Sequence, residues 1–283
     1  MRLGFLTSYS DERVKFAKEA GFTCLEIQAS PGSPLDAMQS GDTLSRVKST
    51  LAEQGIAVSA LACYFNHLEE GHEAERAEYF SKLIEMAPRL GCNVIATMSG
   101  VTAQSKASGN LDESIPAFQK TFAEHAKRAE ANGVKIAFEN WPGGHPWPLF
   151  INIAISPGAW DMMFDAVPSP ALGLEYDPSH LVRLNIDYIA PIKRFADRIH
   201  HVHTKDTSIK TDVLNNVGYI GQGWWHYSIP SRGVVDWNAF FAELQAIEYS
   251  GDAVIEHEDP DFAGDNFDEG LHLGQKFLAQ FVK

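Results

Sequence analysis

Residues 172–180 read LGLEYDPSH. The run opens like a buried strand and closes on an aspartate, a proline and a histidine. The packing of a strand gives no reason for a carboxylate and an imidazole at its exit. A strand that is apolar along its length and chemical at its C-terminal end is what a (βα)8 barrel produces, because function in that fold collects where strands end and βα-loops begin.

The rest of the chain repeats that arrangement. Apolar runs at 2–7, 23–28, 56–64, 93–100, 134–141, 171–177, 198–206 and 252–259 read as strands. Helical patterns follow each of them. The first lies in SDERVKFAKEAG, where Ser10 or Asp11 can cap it and Gly21 can end it. The others are expected near 41–54, 73–90, 111–132, 157–166, 186–197, 236–248 and 266–282. In the fourth, Ile115, Phe118, Phe122 and Ala126 keep helical spacing and mark one buried face. Near-continuous apolar strands alternating with helices imply a parallel sheet covered on both faces. Eight strand–helix units imply an α/β fold, a (βα)8 TIM barrel, spanning 1–283 as a single domain. No linker or charge block divides it. A long irregular stretch at about 207–235 is expected near the mouth.

Composition is consistent with this. Apolar residues make up 45% of the 283 residues, enough for a large core without disulfides or a structural metal. The three cysteines, Cys24, Cys63 and Cys92, are scattered in or beside apolar runs and read as reduced core thiols of a cytoplasmic protein. The N-terminus turns polar too soon for a signal peptide, and no apolar run is long enough to span a membrane. The net charge is −14, and the 23 basic residues are spread along the chain. Nucleic-acid affinity rests on clustered Lys and Arg, so no nucleic-acid partner is expected.

Four consecutive strands end in ligand-type residues: Glu139 in AFEN, Asp177 in LEYDPSH, His203 in HHVHTKD and Glu256 in VIEHED. Each has an ordinary reading. A glutamate at a strand end can be an N-cap or a salt-bridge partner, and an aspartate before proline can belong to a turn. His201 and His203 share a strand face, and one of them can be a satisfied core histidine. Taken together they point to a metal. Three carboxylates and one imidazole make an oxygen-rich site suited to one Mg²⁺, Mn²⁺ or Co²⁺ ion, and open to Zn²⁺. Unpaired, the carboxylates would repel one another, and a divalent cation relieves that.

The segments FEN (138–140), DPSH (177–180), HVHTKD (201–206), RGVVDW (232–237) and IEHED (255–259) resemble the xylose isomerase-like TIM-barrel superfamily. This group of sugar isomerases and epimerases includes ketose 3-epimerases, hydroxypyruvate isomerase and inosose dehydratase. The resemblance spans essentially the whole chain. It implies that Glu139, Asp177, His203 and Glu256 hold one divalent metal and that the two glutamates flank the substrate and move protons. It further implies that His180 reaches a substrate hydroxyl and that Arg232 holds the far end of the substrate. The substrate would be a small sugar or sugar derivative, and a homo-oligomer is open by analogy. The implied chemistry removes a proton beside a carbonyl, with the metal as Lewis acid for the enediolate. Two carboxylates on opposite faces of the carbon give epimerisation, and one base acting on both carbons gives aldose–ketose isomerisation.

Other residues are open between a site role and a packing role. Lys205, two after His203, is either a substrate partner or part of a rim salt bridge. Asn66 and His67 end the third strand and are candidates for substrate contact. Trp141 and the aromatics of GQGWWHY (221–227) either pack a loop down or stack on sugar. His257 and Asp259 are candidates for orienting metal ligands. The stretch 207–235 is longer than the connection expected before RGxxDW, so no single relative supplies the pocket shape. A lyase or dehydratase that expels a leaving group from the same enolate is the main alternative. A DNA-cleaving enzyme of the AP endonuclease type would need further histidines, and the fourth strand ends TMSG without one.

Overall fold

Strands that are apolar on both faces need a neighbour on each edge and a cover on their outer side. In the computed structural model, which describes residues 1–38, 41–143 and 151–282, they obtain the first by closing into a ring. The strands are β1 (Leu3–Ser8), β2 (Cys24–Gln28), β3 (Ala57–Ala62), β4 (Val94–Thr97), β5 (Lys135–Glu139), β6 (Leu172–Tyr176), β7 (Ile199–His203), β8 (Asp206–Ile209), β9 (Trp225–Ser228) and β10 (Ala253–Ile255). β1 to β7 and β10 form the closed barrel, with β10 between β7 and β1. Its ladders are parallel, with Gly4 opposite Cys24, Ala137 opposite Gly173 and Leu3 opposite Ala253. The eight barrel strands fall where the apolar runs place them. Several are shorter than their runs: β3 stops at Ala62, β4 at Thr97, β7 at His203 and β10 at Ile255.

Helices cover the outside, and their ends follow local chemistry. Ser10 caps Asp11–Glu19 by accepting from Arg13 N at 3.1 Å. Gly133, at φ 65°, closes Ile115–Asn132, and its N–H reaches back to the last turn. That helix buries Phe118, Phe122 and Ala126 as its spacing requires, while Ile115 is only half-buried. Phe122 meets Phe118 and Phe138 of β5, each with ring centres 4.8 Å apart. All three cysteines are free and buried.

Three expectations are corrected. The helix after β6 does not wait until 186. It starts at once as Pro178–Arg183, because Asp177 accepts from Ser179 N at 2.8 Å and Pro178 suits the first turn. Asn185, in the left-handed region at φ 55°, follows its end, and a short helix Ala190–Arg194 comes later. A six-residue helix, Ala103–Ser108, stands before the fourth helical pattern where none was foreseen. The stretch 207–235 is ordered: β8 and β9 pair antiparallel, from Asp206 opposite Ser228 to Ile209 opposite Trp225, with the helix Thr211–Val217 between them. Part of the Pro, Gly and aromatic loop expected after β5, residues 144–150, lies outside the described residues, as do 39, 40 and 283.

One close approach constrains the barrel between β6 and β7. A Cβ on Gly173 would stand 2.2 Å from the Arg198 carbonyl oxygen and 2.3 Å from the His200 ring. Gly173→Ala should therefore destabilise the protein by about 1–3 kcal/mol, the usual cost of overpacking a filled core. The urea midpoint reads this, and an unchanged midpoint would contradict the close packing.

Candidate active site

The four strand-end residues converge. Glu139 is the last residue of β5 and His203 the last of β7. Asp177 and Glu256 stand one residue beyond β6 and β10. His203 Nδ1 lies 3.3 Å from Glu256 Oε2, 3.6 Å from Glu139 Oε1 and 4.0 Å from Asp177 Oδ2. Glu139, Asp177, His180 and Glu256 each offer a ligand atom within 4.8 Å of the others. His203 Nδ1 and Asp177 Oδ2 are buried and have no hydrogen-bond partner among the described residues. These two buried atoms, neither completing a hydrogen bond, face one another across a ring of carboxylates and fit a divalent cation, which would take both as ligands.

The backbone around the site is held by polar locks. Asn140, next to Glu139, donates from Nδ2 to the Asp177 carbonyl and accepts from Asp177 N, both at 2.8 Å. This reciprocal pair fixes the end of β5 to the end of β6. Asn152 donates to the carbonyls of Glu139 at 2.7 Å and Trp141 at 3.1 Å. The Trp141 side chain is half-buried. Asp206, buried, accepts from Thr207 N, Ser231 N, Val235 N and Trp237 Nε1 at 2.9–3.2 Å. It thus clasps the returning arm of the excursion to the end of β7. Gly233 is needed there, since a Cβ would stand 2.2 Å from Asp206 Oδ1.

Lys205 lies within this ring of charge. Its buried ammonium donates to Glu256, to Glu258 at 2.8 Å, and lies 3.4 Å from Asp177 Oδ2. Burial opposes its charge, but Glu256, Asp177, Glu258 and Glu139 outweigh burial and hold its pKa well above the ordinary lysine value. The two glutamates are driven apart. Burial, then the charge of Glu256, pushes Glu139 well above the carboxylate range. Burial also works against the Glu256 carboxylate, yet Lys205 and His203 outweigh it and hold that group well below the range. Burial raises Asp177 as well.

Beneath this ring lies a second layer that the sequence reading missed. His203 Nε2 is 2.8 Å from Glu26 Oε2 and 3.2 Å from Glu175 Oε1. His201 Nδ1 is 2.9 Å from Glu175 Oε1, and the Tyr64 hydroxyl reaches Glu26 at 3.1 Å and Glu175 at 2.5 Å. The Glu26–His203 contact is of the carboxylate–imidazole kind that, in a metal site, would orient the histidine. The available signal was a glutamate inside each of two apolar strands, CLEIQ and LGLEY. Glu258 and Arg183 were also missed, and Tyr227 was read only as one of the aromatics of 221–227. His180 is buried, with Nε2 3.1 Å from Glu139 Oε1 and Nδ1 2.7 Å from the Tyr227 hydroxyl.

Not every expected residue joins the ring. Arg232 pairs with Asp259 at 3.2 Å and Asp261 at 2.7 Å on the rim. Asp259 also accepts from Ile229 N at 3.0 Å, and His257 stacks on Phe267 with centres 4.1 Å apart. Asn66 is a loop clamp: its amide donates to the Val101 carbonyl and accepts from Leu68 N and Val101 N. His67 packs among Phe65, Phe80, Phe122 and His125 and reaches Thr97 Oγ1 at 3.0 Å. Both side chains are engaged between the third and fourth units and stand apart from the ring.

Comparison with known proteins agrees with the fold. The family model for the xylose isomerase-like TIM barrel matches residues 14–280. YfiH of Bacillus subtilis (strain 168), an uncharacterised protein, is 26% identical over 296 residues, covering 88% of each chain. Inosose dehydratase of Geobacillus thermodenitrificans (strain NG80-2) is 27% identical over 121 residues, 41% of this chain and 40% of its own length. Among solved structures, the IOLI protein with a bound zinc atom superposes with TM-score 0.76 at 20% identity, covering 100% and 98% of the two chains. D-Psicose 3-epimerase with D-tagatose, from Clostridium cellulolyticum H10, gives 0.73 at 16% identity with both chains fully covered.

Two outcomes follow from this electrostatics. Removing one partner from a buried ion cluster costs about 3–5 kcal/mol, so Lys205→Met in the presence of a chelator should lose that much stability at neutral pH by urea unfolding. A loss below about 1 kcal/mol, the value of an exposed pair, would show the ammonium to be expendable. Separately, burial pushes His67 well below the imidazole range and His125 down to about 4. Both are lowered on folding, so the unfolded chain takes up protons that the folded chain refuses. Stability contributed by the neutral rings is present above about pH 6.5 and is lost as pH falls toward 4, by up to roughly 1.4 kcal/mol per pH unit for each ring. His125→Gln should flatten that slope.

Proposed function

This chain belongs to the xylose isomerase-like TIM-barrel family, and on that premise we propose that it is a divalent-metal-dependent isomerase or epimerase of a small sugar or keto-sugar. The observation that carries the reading is the ring of Glu139, Asp177, His203 and Glu256, with an imidazole nitrogen and a carboxylate oxygen that complete no hydrogen bond facing inward. These four residues would hold the cation. When bound, it supplies Lewis acidity that stabilises negative charge on the substrate oxygens. The zinc in the IOLI structure and the D-tagatose in the epimerase structure are similar-fold precedents that support this choice.

The proton work falls to Glu139 and Glu256. They stand on β5 and beside β10, with β6 and β7 between them in the barrel. A substrate carbon between them meets a carboxylate on each side, so one can take the proton that the other returns. Lys205, beside Glu256 and Asp177, offers an ammonium to an oxygen that gains charge. His180 meets a substrate oxygen. Arg232, on the rim, contributes at the distal end, and Trp141 with the excursion screens the mouth from water. The similarity to inosose dehydratase favours one second reading, in which the same enolate expels water.

Dialysed Asp177→Ala and His203→Ala should retain under about a tenth of the Mn²⁺ held by the parent chain, since both remove a direct ligand. Stoichiometric metal in both variants would remove the site. Turnover of a sugar panel in D₂O should place solvent deuterium on the reprotonated carbon, and Glu139→Gln and Glu256→Gln should each lower kcat by about 10²–10⁴. Product without deuterium, with substantial turnover in both Gln variants, would eliminate the two-carboxylate scheme. Products lighter by one water would select the dehydratase reading.

A further inference from the structure

The excursion between β7 and β10 delivers one side chain to the ring. Tyr227, on β9, is buried, and its hydroxyl lies 2.7 Å from His180 Nδ1. On the other side of that hydroxyl, Arg183 Nη1 donates to it at 3.3 Å. The same guanidinium donates to the Gly143 carbonyl and lies 4.1 Å from the centre of the Trp225 ring. The Tyr227 ring is held in turn by Trp225, 4.8 Å away, and by the Lys205 ammonium 4.3 Å from its centre.

The donor inventory gives this chain a direction. A guanidinium has donors and no acceptor. Arg183 therefore occupies a lone pair of the Tyr227 oxygen. Among the described residues the remaining partner of that hydroxyl is His180 Nδ1, and the Tyr227 proton points there. A ring nitrogen that accepts carries no proton, so the proton of a neutral imidazole sits on Nε2. Nε2 faces Glu139 Oε1 at 3.1 Å, with Asp177 Oδ2 3.4 Å away. Both ends of the ring agree on one tautomer.

We propose that Arg183 and Tyr227 lock His180 as the Nε2–H tautomer, so that it faces the substrate as a hydrogen-bond donor and not as a base. Arg183 and Tyr227 are positioning residues, acting through His180. This rests on the proposed function only in naming what the donor meets: a substrate oxygen that gains negative charge as the neighbouring carbon loses its proton. A donor there stabilises that oxygen and leaves proton removal to the glutamates. The arrangement also explains why an excursion is threaded back to the mouth, since β9 is what brings the Tyr227 hydroxyl to Nδ1.

The test is the tautomer itself, read by long-range ¹H–¹⁵N correlation on the full chain labelled with ¹⁵N-histidine, with chelator and with Zn²⁺. His180 is assigned by its disappearance in His180→Gln. The expected pattern is an unprotonated Nδ1 and a protonated Nε2 in both samples. In Tyr227→Phe, which keeps the ring and its packing, Nδ1 should shift downfield as its lone pair loses a donor. In Arg183→Met the freed hydroxyl oxygen can accept, so the Nδ1–H form should rise several-fold. Arg183→Lys, which still donates, should keep the parent pattern, and it controls for a misfolded Met variant. A protonated Nδ1 in the parent chain, or an unmoved Nδ1 in Tyr227→Phe, overturns the lock. Zinc and Mn²⁺ binding are measured on the same chain: one that shows the Nε2–H form without binding either metal keeps the lock and loses the proposed function.

Discussion

Like charges held at close quarters out of water govern this structure. Glu139, Asp177 and Glu256 stand around one point at the mouth of the barrel, and Glu26 and Glu175 lie just beneath. In a medium of low dielectric such groups cannot all be ionised without cations among them. Lys205 is such a cation in the protein itself. Burial works against a charged His203, but with no metal bound Glu175, Glu26, Glu139 and Glu256 outweigh it and raise the His203 pKa well above the imidazole range. Lys205 has carboxylates on several sides, and His203 stands between the two layers, with Nδ1 toward the upper carboxylates and Nε2 toward the lower. A barrel strand that ended in alanine at these positions would be easier to bury. The cost is accepted where it produces a place that demands positive charge.

The surrounding structure serves to keep that place from relaxing. Carboxylates free to turn would swing to solvent and the field would collapse. Asn140 ties two strand ends together through one amide, Asn152 holds the backbone at Glu139 and Trp141, and Asp206 gathers four donors from the returning arm of the excursion. Each lock satisfies backbone groups that would otherwise be buried without partners. The geometry at the mouth is thus fixed through backbone groups, including those of Glu139 and Asp177, and not through the carboxylate oxygens that face the ring.

The barrel was legible because its signal is periodic and redundant: eight apolar runs spaced by eight amphipathic patterns outvote any local error. Glu139, Asp177, His203 and Glu256 were legible as a set because strand ends in a barrel occupy equivalent heights. What stayed hidden was set by contacts distant in sequence. Glu26 and His203 are 177 positions apart and meet only when β2 and β7 face each other across the interior. Asn66 and His67 have the side chains of a binding site and stand at a strand end, yet neighbours from the fourth unit claim them. The helix at Pro178 was missed although its cap and its first-turn proline were in plain view, because Asp177 was read as a ligand or a turn residue and not as a helix cap. It caps through Oδ1 and leaves Oδ2 toward the ring.

The clasp at Asp206 has an evolutionary consequence. Its donors come from Thr207 at the start of the excursion and from Ser231, Val235 and Trp237 at its end, so both ankles of the loop are pinned whatever lies between. The tip, with Tyr219 and Ile220 largely exposed, is outside that bracket. Insertions, deletions or grafts between about 211 and 223 can then reshape the entrance while β9 returns Tyr227 to the same spot. The fold holds a socket into which new specificity can be spliced without rebuilding the reacting groups.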